Sequence, residues 1–306
     1  MILCLCPSPA IDMTYHVDAL HVGESTRVRS LKRRAGGKAV NVACVLHAVG
    51  ADGHVLAPVG GPAGAEFAEL LRATGVPADL VPDPAPTRTT IAVVDSGGQA
   101  SVLLEPAVTR DWPALLARAE ALIPAAEVVV VSGSMPEGAP PDALATVIAL
   151  ARAAGRPIIV DTSGPALLQA LEAGATLVKP NAAELAQVAP EQPDPVLAAR
   201  TLATRYAGTV VVASLGADGA VLAGPDGACH ARPGAALTGN PTGAGDALVA
   251  GLARGLAAGH AVPELLAESV ALSAAAVLHP FAGRLDPAEY ARQRAAVTVR
   301  ALQGQP

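Results

Sequence analysis

The sequence predicts an α/β fold: a doubly wound, mostly parallel sheet flanked by helices, with a small β-sheet as a lid. Short and nearly all-apolar runs alternate with helical patterns along the chain, as expected when parallel strands are covered on both faces. Two segments break this rhythm and alternate apolar and polar residues like half-exposed strands. In a sheet of this kind, ligands bind at the carboxyl ends of the strands.

Buried strands are predicted wherever a short apolar run is bounded by turn residues. Several of these runs contain almost no polar residue, which is typical of central parallel strands. They lie at residues 2–6, 54–59, 128–132, 157–161, 176–179 and 209–214.

Helices are predicted between these strands, and prolines stand near the starts of most of them, where a missing N–H does no harm. The last two helices are the most apolar and follow the final predicted strand. The predicted helices are residues 38–49, 64–74, 113–122, 141–154, 165–171, 195–206, 247–258 and 262–278.

The lid strands are expected within residues 12–34 and 87–104, the second pair being joined by the turn DSGG at residues 95–98. Residues 82–86, PDPAP, are the expected crossing point into the lid. Such a sheet would serve as a lid, a dimer surface or both. No second domain boundary is evident, so we expect residues 1–306 to form a single domain.

Composition excludes several functional classes. The chain is 51% hydrophobic but only 2% aromatic, and no apolar run is long enough to span a bilayer. A net charge of -6 argues against general nucleic-acid binding. The first residues carry no basic segment of a signal peptide, and the four cysteines form no CxxC pair. We therefore expect a cytoplasmic protein without a nucleic-acid or membrane partner.

The most informative segment is GNPTGAGD at residues 239–246, which runs directly into an apolar helical segment. A glycine-rich turn at a helix N-terminus offers backbone N–H groups and the positive end of the helix dipole to an anion. The amides of Gly243, Ala244 and Gly245 would stabilise charge on a transferred phosphoryl group, and Asp246 would act as general base. The alternative is an ordinary turn with Asp246 as the helix cap.

Two familiar nucleotide signatures are missing from the sequence. There is no GxxxxGK[ST] phosphate loop, and no GxGxxG opens a helix after the first strand. Any nucleotide binding must therefore use another arrangement, and a dinucleotide oxidoreductase is disfavoured.

Five motifs, taken in order, resemble those of the PfkB-type, ribokinase-like sugar kinases. The similarity extends from about Pro7 to His279. The segment PAID at residues 9–12, the lysine of the first motif and KPN at residues 179–181 look most like the branch of 1-phosphofructokinase and tagatose-6-phosphate kinase. The five motifs are GGKAVNVA at residues 36–43, SGSMPEG at 132–138, KPNAAEL at 179–185, SLGADGA at 214–220 and TGAGD at 242–246.

The resemblance implies transfer of the γ-phosphoryl group of ATP to a hydroxyl of a sugar phosphate with the help of Mg²⁺. It also implies a small β lid over the sugar, commonly shared in a homodimer. Fructose 1-phosphate is the expected acceptor. Tagatose 6-phosphate, fructose 6-phosphate, an unphosphorylated sugar or nucleoside, and a non-catalytic sugar-phosphate sensor are the alternatives.

Sugar-binding candidates follow the first strand and the first motif. Asp12 can accept hydrogen bonds from two neighbouring hydroxyls, although it could be only a turn residue before the lid. The absence of side chains at Gly36 and Gly37 lets the backbone approach a substrate. Asn41, one turn into the next helix, could point its amide at a hydroxyl, and Ser134 follows a strand end where it could contact the sugar.

A basic cluster could hold a phosphate already present on the acceptor. A lysine at the positive end of a helix is unfavourable unless an anion binds there, so Lys38 is a candidate, together with Arg88 at the start of a lid strand. The alternative is a solvated basic surface. The early cluster also contains Arg27, Arg29, Lys32, Arg33 and Arg34.

Nucleotide and metal candidates come from the later motifs. Asn181 and Glu184 lie on one face at a helix start, where Glu184 could cap its own helix; the resemblance implies instead that Glu184 organises Mg²⁺ through water. The residues assigned to ATP are Lys179, Asn181, Ser214, Gly216, Gly219, Thr242 and His279, the last as a wall or capping residue.

Four positions within or beside the motifs depart from the usual pattern of the family: Ala39, Asn240, Pro241 and Leu248.

Overall fold

A computed structural model describes residues 1–235 and 237–302 of the chain. Ten strands of the described chain form one sheet. They are β1 (Ile2–Leu5), β4 (Gly53–Val59), β5 (Ala78–Pro82), β8 (Val128–Ser132), β9 (Ile158–Asp161), β10 (Leu177–Val178), β11 (Val210–Ser214), β12 (Ala220–Gly224), β13 (Gly227–Arg232) and β14 (Thr298–Ala301).

The spatial order of this sheet is β14-β13-β12-β11-β10-β9-β8-β1-β4-β5. In this spatial order, the seven strands from β5 at one edge to β11 pair in parallel. The remaining strands, from β11 to β14 at the other edge, pair antiparallel. A second, separate sheet has the order β3-β2-β6-β7. Its strands are β2 (Ala10–His16), β3 (Ser30–Gly36), β6 (Arg88–Val94) and β7 (Ala100–Leu104).

Helices cover both faces of the large sheet. Along β1, Cys4 packs into the core on one face, while Leu3 and Leu5 pack into the core on the other, because successive side chains of a strand point to opposite faces. The helices are α1 (Lys38–Ala48), α2 (Gly61–Arg72), α3 (Trp112–Leu122), α4 (Ala143–Ala153), α5 (Pro165–Glu172), α6 (Ala182–Val188), α7 (Pro195–Arg205), α8 (Ala244–Ala257), α9 (Val262–Val277) and α10 (Pro287–Ala296).

The predicted architecture is confirmed, with a few differences at its edges. The six predicted strands all form, and the lid segments form the second sheet. Strands β5, β12, β13 and β14 and helix α10 were not predicted. Strands β5 and β14 are partly exposed and α10 contains no buried residue, whereas β12 is a buried apolar run that the sequence analysis missed. Helix α8 begins three residues earlier than predicted, which places Asp246 inside its first turn.

None of the helices in the described ranges is both long and apolar enough to cross a membrane.

Candidate active site

The predicted site residues, except Gly36 and His279, line one cavity of about 850 Å³. Its floor lies at the carboxyl ends of neighbouring strands, where Gly133, Asp161, Lys179 and Ser214 stand at or just beyond the ends of β8, β9, β10 and β11. Helices α1 and α8 begin at the same cavity, so both positive helix ends face it. The small sheet contributes Asp12, Arg34, Arg88 and Leu104 to the wall.

The turn before α8 has the geometry that its glycines permit. Gly243 is the N-cap of the helix and adopts a left-handed conformation with φ of 84°. A Cβ atom at this position would lie 2.5 Å from the Cβ of Ala282, so a side chain is excluded by both conformation and space. The main chain of Ala244 and Gly245 therefore approaches the cavity directly.

Asp246 is buried in the first turn of α8, with only 6% of its surface exposed. Its Oδ2 accepts a hydrogen bond of 2.7 Å from Nδ2 of Asn41 on α1. Burial raises the pKa of Asp246 to about 6, with a smaller contribution from the negative charge of Asp161. The residue is not the cap of its helix, so the capping interpretation is wrong, and its carboxylate is poised near neutral pH to accept a proton.

Asp161 is a charged residue of this site that the sequence analysis did not single out. It is buried and lies between two lysines, with Lys179 Nζ 3.0 Å from Oδ1 and Lys38 Nζ 3.3 Å from Oδ2. Ser132, its direct neighbour across β8 and β9, donates to Oδ2 at 2.9 Å. Burial by itself raises the pKa of Asp161, but the two lysines hold it below its usual value.

Lys38, the candidate for binding a phosphate of the acceptor, lines the cavity beside Asp161 at the start of α1. Burial by itself lowers the pKa of Lys38, but the carboxylates of Asp161 and Asp246 raise it overall. A protonated amine at the N-terminus of α1, beside Asp246, can stabilise negative charge on a transferred group.

Gly36 packs directly on the side chain of Asp12, which lines the cavity. A Cβ at Gly36 would lie 2.2 Å from Cγ of Asp12, and Gly37, with φ of 110°, caps α1. The Asp12 carboxylate lines the cavity and is paired with Arg34 across β2 and β3, at 2.5 Å from Nη2. Asn41 lines the cavity too, but its amide is engaged by Arg34 and Asp246.

Arg88 and Ser134 stand on the same wall near the small sheet. Nη1 of Arg88 donates to the carbonyl of Glu105 at 2.9 Å, and Nη2 lies 3.5 Å from the carbonyl of Ser8. The hydroxyl of Ser8 in turn donates to the carbonyl of Ser134. These bonds hold the Arg88 guanidinium at this wall of the cavity.

Asn181 and Glu184 form a reciprocal cap at the start of α6. Glu184 accepts from the Asn181 N–H at 2.8 Å, and Asn181 Oδ1 accepts from the Glu184 N–H at 2.9 Å. A carboxylate has about four acceptor positions, so one cap bond leaves room for the water ligands that Mg²⁺ retains. Both residues line the cavity, so they fit a water-mediated metal site as well as a cap. Among the described residues, no cluster of three or more His, Cys, Asp or Glu forms a metal cage.

Ser214, Gly216 and Gly219 surround a tight turn at the end of β11. Gly216 and Gly219 have φ of 60° and 84°, and the Leu215 N–H donates to the Gly219 carbonyl at 2.8 Å. A Cβ at Gly219 would lie 2.1 Å from the carbonyl oxygen of Ala231, so this turn requires glycine. The cavity is also lined by the apolar side chains of Leu248, Val270, Ala274 and Val277.

Thr242 lines the cavity, and Asn240 closes the turn before it by accepting from the Thr242 N–H at 3.0 Å. His279 and Gly36 do not line the cavity. The His279 ring packs 5.9 Å from the ring of Phe281, and Nδ1 accepts from the Phe281 N–H at 3.1 Å. Of its two expected roles, this geometry matches a local capping residue.

Comparison with known proteins identifies the family of the chain. Residues 6–288 match the pfkB family carbohydrate kinase model. The ATP-dependent 6-phosphofructokinase isozyme 2 of Mycobacterium tuberculosis is 33% identical over 287 residues, covering 91% of this chain and 84% of the relative.

Solved structures show the same fold. Phosphofructokinase-2 of Escherichia coli, in complex with fructose-6-phosphate, superposes with a TM-score of 0.88 and 26% identity over 96% of this chain and 98% of that one. A possible 1-phosphofructokinase of Thermotoga maritima has a TM-score of 0.85 over 99% of both chains, but its 22% identity speaks for the fold alone.

The motifs, the fold and the matched relatives thus agree. The chain belongs to the pfkB family of carbohydrate kinases.

Proposed function

We propose that this protein transfers the γ-phosphoryl group of ATP to a hydroxyl of a phosphorylated ketohexose. The observation that carries the proposal is Asp246, a buried carboxylate with a pKa of about 6 in the first turn of a helix whose glycine N-cap faces the cavity. A base and a set of amide donors in one helical turn are what phosphoryl transfer to a hydroxyl requires.

In this mechanism Asp246 takes the proton of the accepting hydroxyl as the hydroxyl oxygen attacks the γ-phosphorus. The amides of Gly243, Ala244 and Gly245, the dipole of α8 and the Lys38 ammonium stabilise the charge on the transferred group. Asp12 orients the sugar hydroxyls, and the turn at Ser214 to Gly219 holds nucleotide phosphates. When bound, Mg²⁺ neutralises phosphate charge, and Glu184 and Asn181 would hold its water ligands.

Fructose 1-phosphate is the acceptor that the motifs favour, and fructose 6-phosphate is a second candidate. The second is supported by the M. tuberculosis relative named 6-phosphofructokinase and by the E. coli neighbour solved with fructose-6-phosphate. Either acceptor would give fructose 1,6-bisphosphate, so the product alone does not separate them.

The deciding experiment measures ADP release with ATP and Mg²⁺ across five acceptors: fructose 1-phosphate, fructose 6-phosphate, tagatose 6-phosphate, fructose and ribose. We expect turnover with one phosphorylated ketohexose and little with the free sugars. Turnover confined to free sugars would overturn the proposed acceptor class, and no turnover with any acceptor would contradict the proposed kinase activity.

We expect Arg88→Met to weaken binding of the phosphorylated acceptor selectively. Loss of charge-assisted hydrogen bonds costs about 1.5–3 kcal/mol, which corresponds to a rise in KM of about 10- to 100-fold. The KM for ATP should stay unchanged. Steady-state kinetics with each substrate varied in turn give both values.

The matched control is Arg118→Met, which removes an arginine paired with Asp79 on the outside of α3. An equal change of KM in both variants, or an equal loss of affinity for ATP in Arg88→Met, would contradict the phosphate-binding role of Arg88.

The pH profile should reflect the raised pKa of Asp246. A general base must be ionised, so kcat/KM is expected to be level above pH 7 and to fall about tenfold per pH unit below pH 6. Measurement from pH 5 to pH 8 with a constant ionic strength checks this. A profile that stays flat down to pH 5 would contradict the assignment.

We also propose that the second sheet is the lid of a single domain spanning residues 1–306 and that it pairs two copies into a homodimer. All residues of β7 are exposed, and Val102, Leu103 and Leu104 leave more than half of their surfaces uncovered, at 56%, 58% and 68%. Sedimentation velocity of the parent protein should show a dimer. The Leu103→Glu variant should sediment as a monomer, because it places a charge on the exposed apolar strand β7. A monomeric parent protein would refute the proposed homodimer.

A further inference from the structure

Arg34 links the sugar end of the cavity to the predicted base. Its Nη2 lies 2.5 Å from Oδ2 of Asp12, and its Nη1 donates to Oδ1 of Asn41 at 3.2 Å and also to the carbonyl of Ala282. Asn41 continues the chain by donating from Nδ2 to Asp246 at 2.7 Å. Hydrogen bonds thus join four side chains in one line, from Asp12 on β2 through Arg34 on β3 and Asn41 on α1 to Asp246 on α8.

The chemistry of Arg34 fixes the orientation of the Asn41 amide. A guanidinium has five N–H donors and no acceptor, so only the oxygen of the amide can face it. The NH₂ group is then turned toward Asp246, which, when ionised, offers only acceptors. Gly283 holds this arrangement closely, since a Cβ there would lie 2.9 Å from Oδ1 of Asn41.

The hydrogen bond from Asn41 also acts on the base itself. Asp161 and burial raise the pKa of Asp246, whereas this hydrogen bond and the cations of Lys38 and Lys179 lower it. An amide free to rotate could present its oxygen to the carboxylate instead, which would disfavour the ionised form.

We propose that Arg34 is a positioning residue for phosphoryl transfer: it locks the Asn41 amide so that Nδ2 holds Asp246 ionised and aimed at the acceptor, and its pairing with Asp12 ties that alignment to the sugar-binding carboxylate. The inference rests on the proposed role of Asp246 as base. Arg34 acts through Asn41 and is not itself assigned to the reacting atoms.

The neighbouring Arg33 belongs to the same basic cluster but does not line the cavity, so it supplies a matched control on the same strand. Its Nε lies 3.0 Å from Glu66 Oε1 of α2, and its side chain is 45% exposed. Because successive residues of a strand point to opposite faces, Arg33→Met removes a similar charge from β3 without touching the line from Asp12 to Asp246.

The test is a double-mutant cycle on the parent enzyme with its best acceptor. We expect Arg34→Met to lower kcat about 10- to 100-fold, the size seen when a reacting group is slightly misplaced, and to move the acid limb of the kcat/KM profile to higher pH. In an Asn41→Ala background the same substitution should produce no further shift of that limb, and any remaining loss of kcat measures the separate pairing of Arg34 with Asp12. Arg33→Met should leave both quantities unchanged.

Thermal unfolding of each variant accompanies the kinetics. Should Arg34→Met fail to fold, Arg34→Lys serves instead, because a lysine keeps a cation for Asp12 but not the planar fork that also holds Asn41, and the acid limb should again move to higher pH.

Three results would overturn the inference: an unchanged acid limb in a folded Arg34 variant, an equal shift with and without Asn41, or an equal loss in Arg33→Met. A parent enzyme without kinase turnover would instead refute the proposed function, so the two failures are distinguishable.

Discussion

Asp246→Asn is expected to lower kcat by about 10²- to 10⁴-fold, the usual contribution of a positioned general base. The substitution preserves the shape of the side chain, and its amide oxygen can still accept the bond that Asn41 Nδ2 now donates to Oδ2. The substitution removes the negative charge and the ability to take a proton. The KM values for ATP and acceptor should therefore stay within about threefold of the parent values while turnover collapses.

Glu120→Gln is the control for this variant, because it makes the same acid-to-amide change on the exposed side of α3. It should leave kcat and both KM values unchanged. Near-normal turnover in Asp246→Asn would refute the base. A joint loss of binding and unfolding stability would show that the carboxylate is structural.

The sequence alone was sufficient where chemistry lies in consecutive residues. The turn at residues 242–246 contains Gly243, whose left-handed conformation favours glycine, and Asp246, which lies in the first turn of α8. Both residues belong to one short motif that can be recognised in the sequence. The central strands were equally recognisable, since β8 consists of four valines and a serine, all buried.

Residues brought together by strand order were harder to predict. Asp161 ends one strand, and Lys179 follows the next strand of the sheet. Their 3.0 Å pairing depends on β9 and β10 being neighbours, which no local pattern states. Arg34 was hidden for a related reason: within its basic cluster it resembles surface charge, and only the register of β2 against β3 places it opposite Asp12.

The antiparallel edge of the large sheet was missed even though one of its strands is apolar. Strand β13 mixes glycine, alanine, cysteine, histidine and arginine, whereas β12 is a five-residue apolar strand with four buried residues. Their position follows from pairing with β11 and β14 rather than from intrinsic strand preference, which varies strongly with context.

Asp161→Asn is expected to cause the largest loss of stability among these variants. Removing one partner of a buried ion pair costs about 3–5 kcal/mol, because the remaining charge stays buried without compensation. Here Lys179, with a side chain only 5% exposed, would lose its carboxylate. Denaturant unfolding at pH 7 should show the loss as a lower midpoint. Asp18→Asn, which breaks an exposed pair with Arg29, should leave the midpoint unchanged.

The pH dependence separates this electrostatic effect from simple loss of packing. The lysines hold the pKa of Asp161 below its usual value, so its stabilising contribution is complete above that value and is lost as the pH falls through the lowered pKa. The gap between parent and variant should therefore narrow in acid; a gap independent of pH would indicate lost packing instead.

Asp161→Asn should also change the pH profile of catalysis. The substitution removes a negative charge that raises the pKa of Asp246, so the acid limb of the kcat/KM profile should move to lower pH. That direction is opposite to the one expected for Arg34→Met. The two substitutions thus test, from opposite sides, whether one carboxylate at the start of α8 governs turnover.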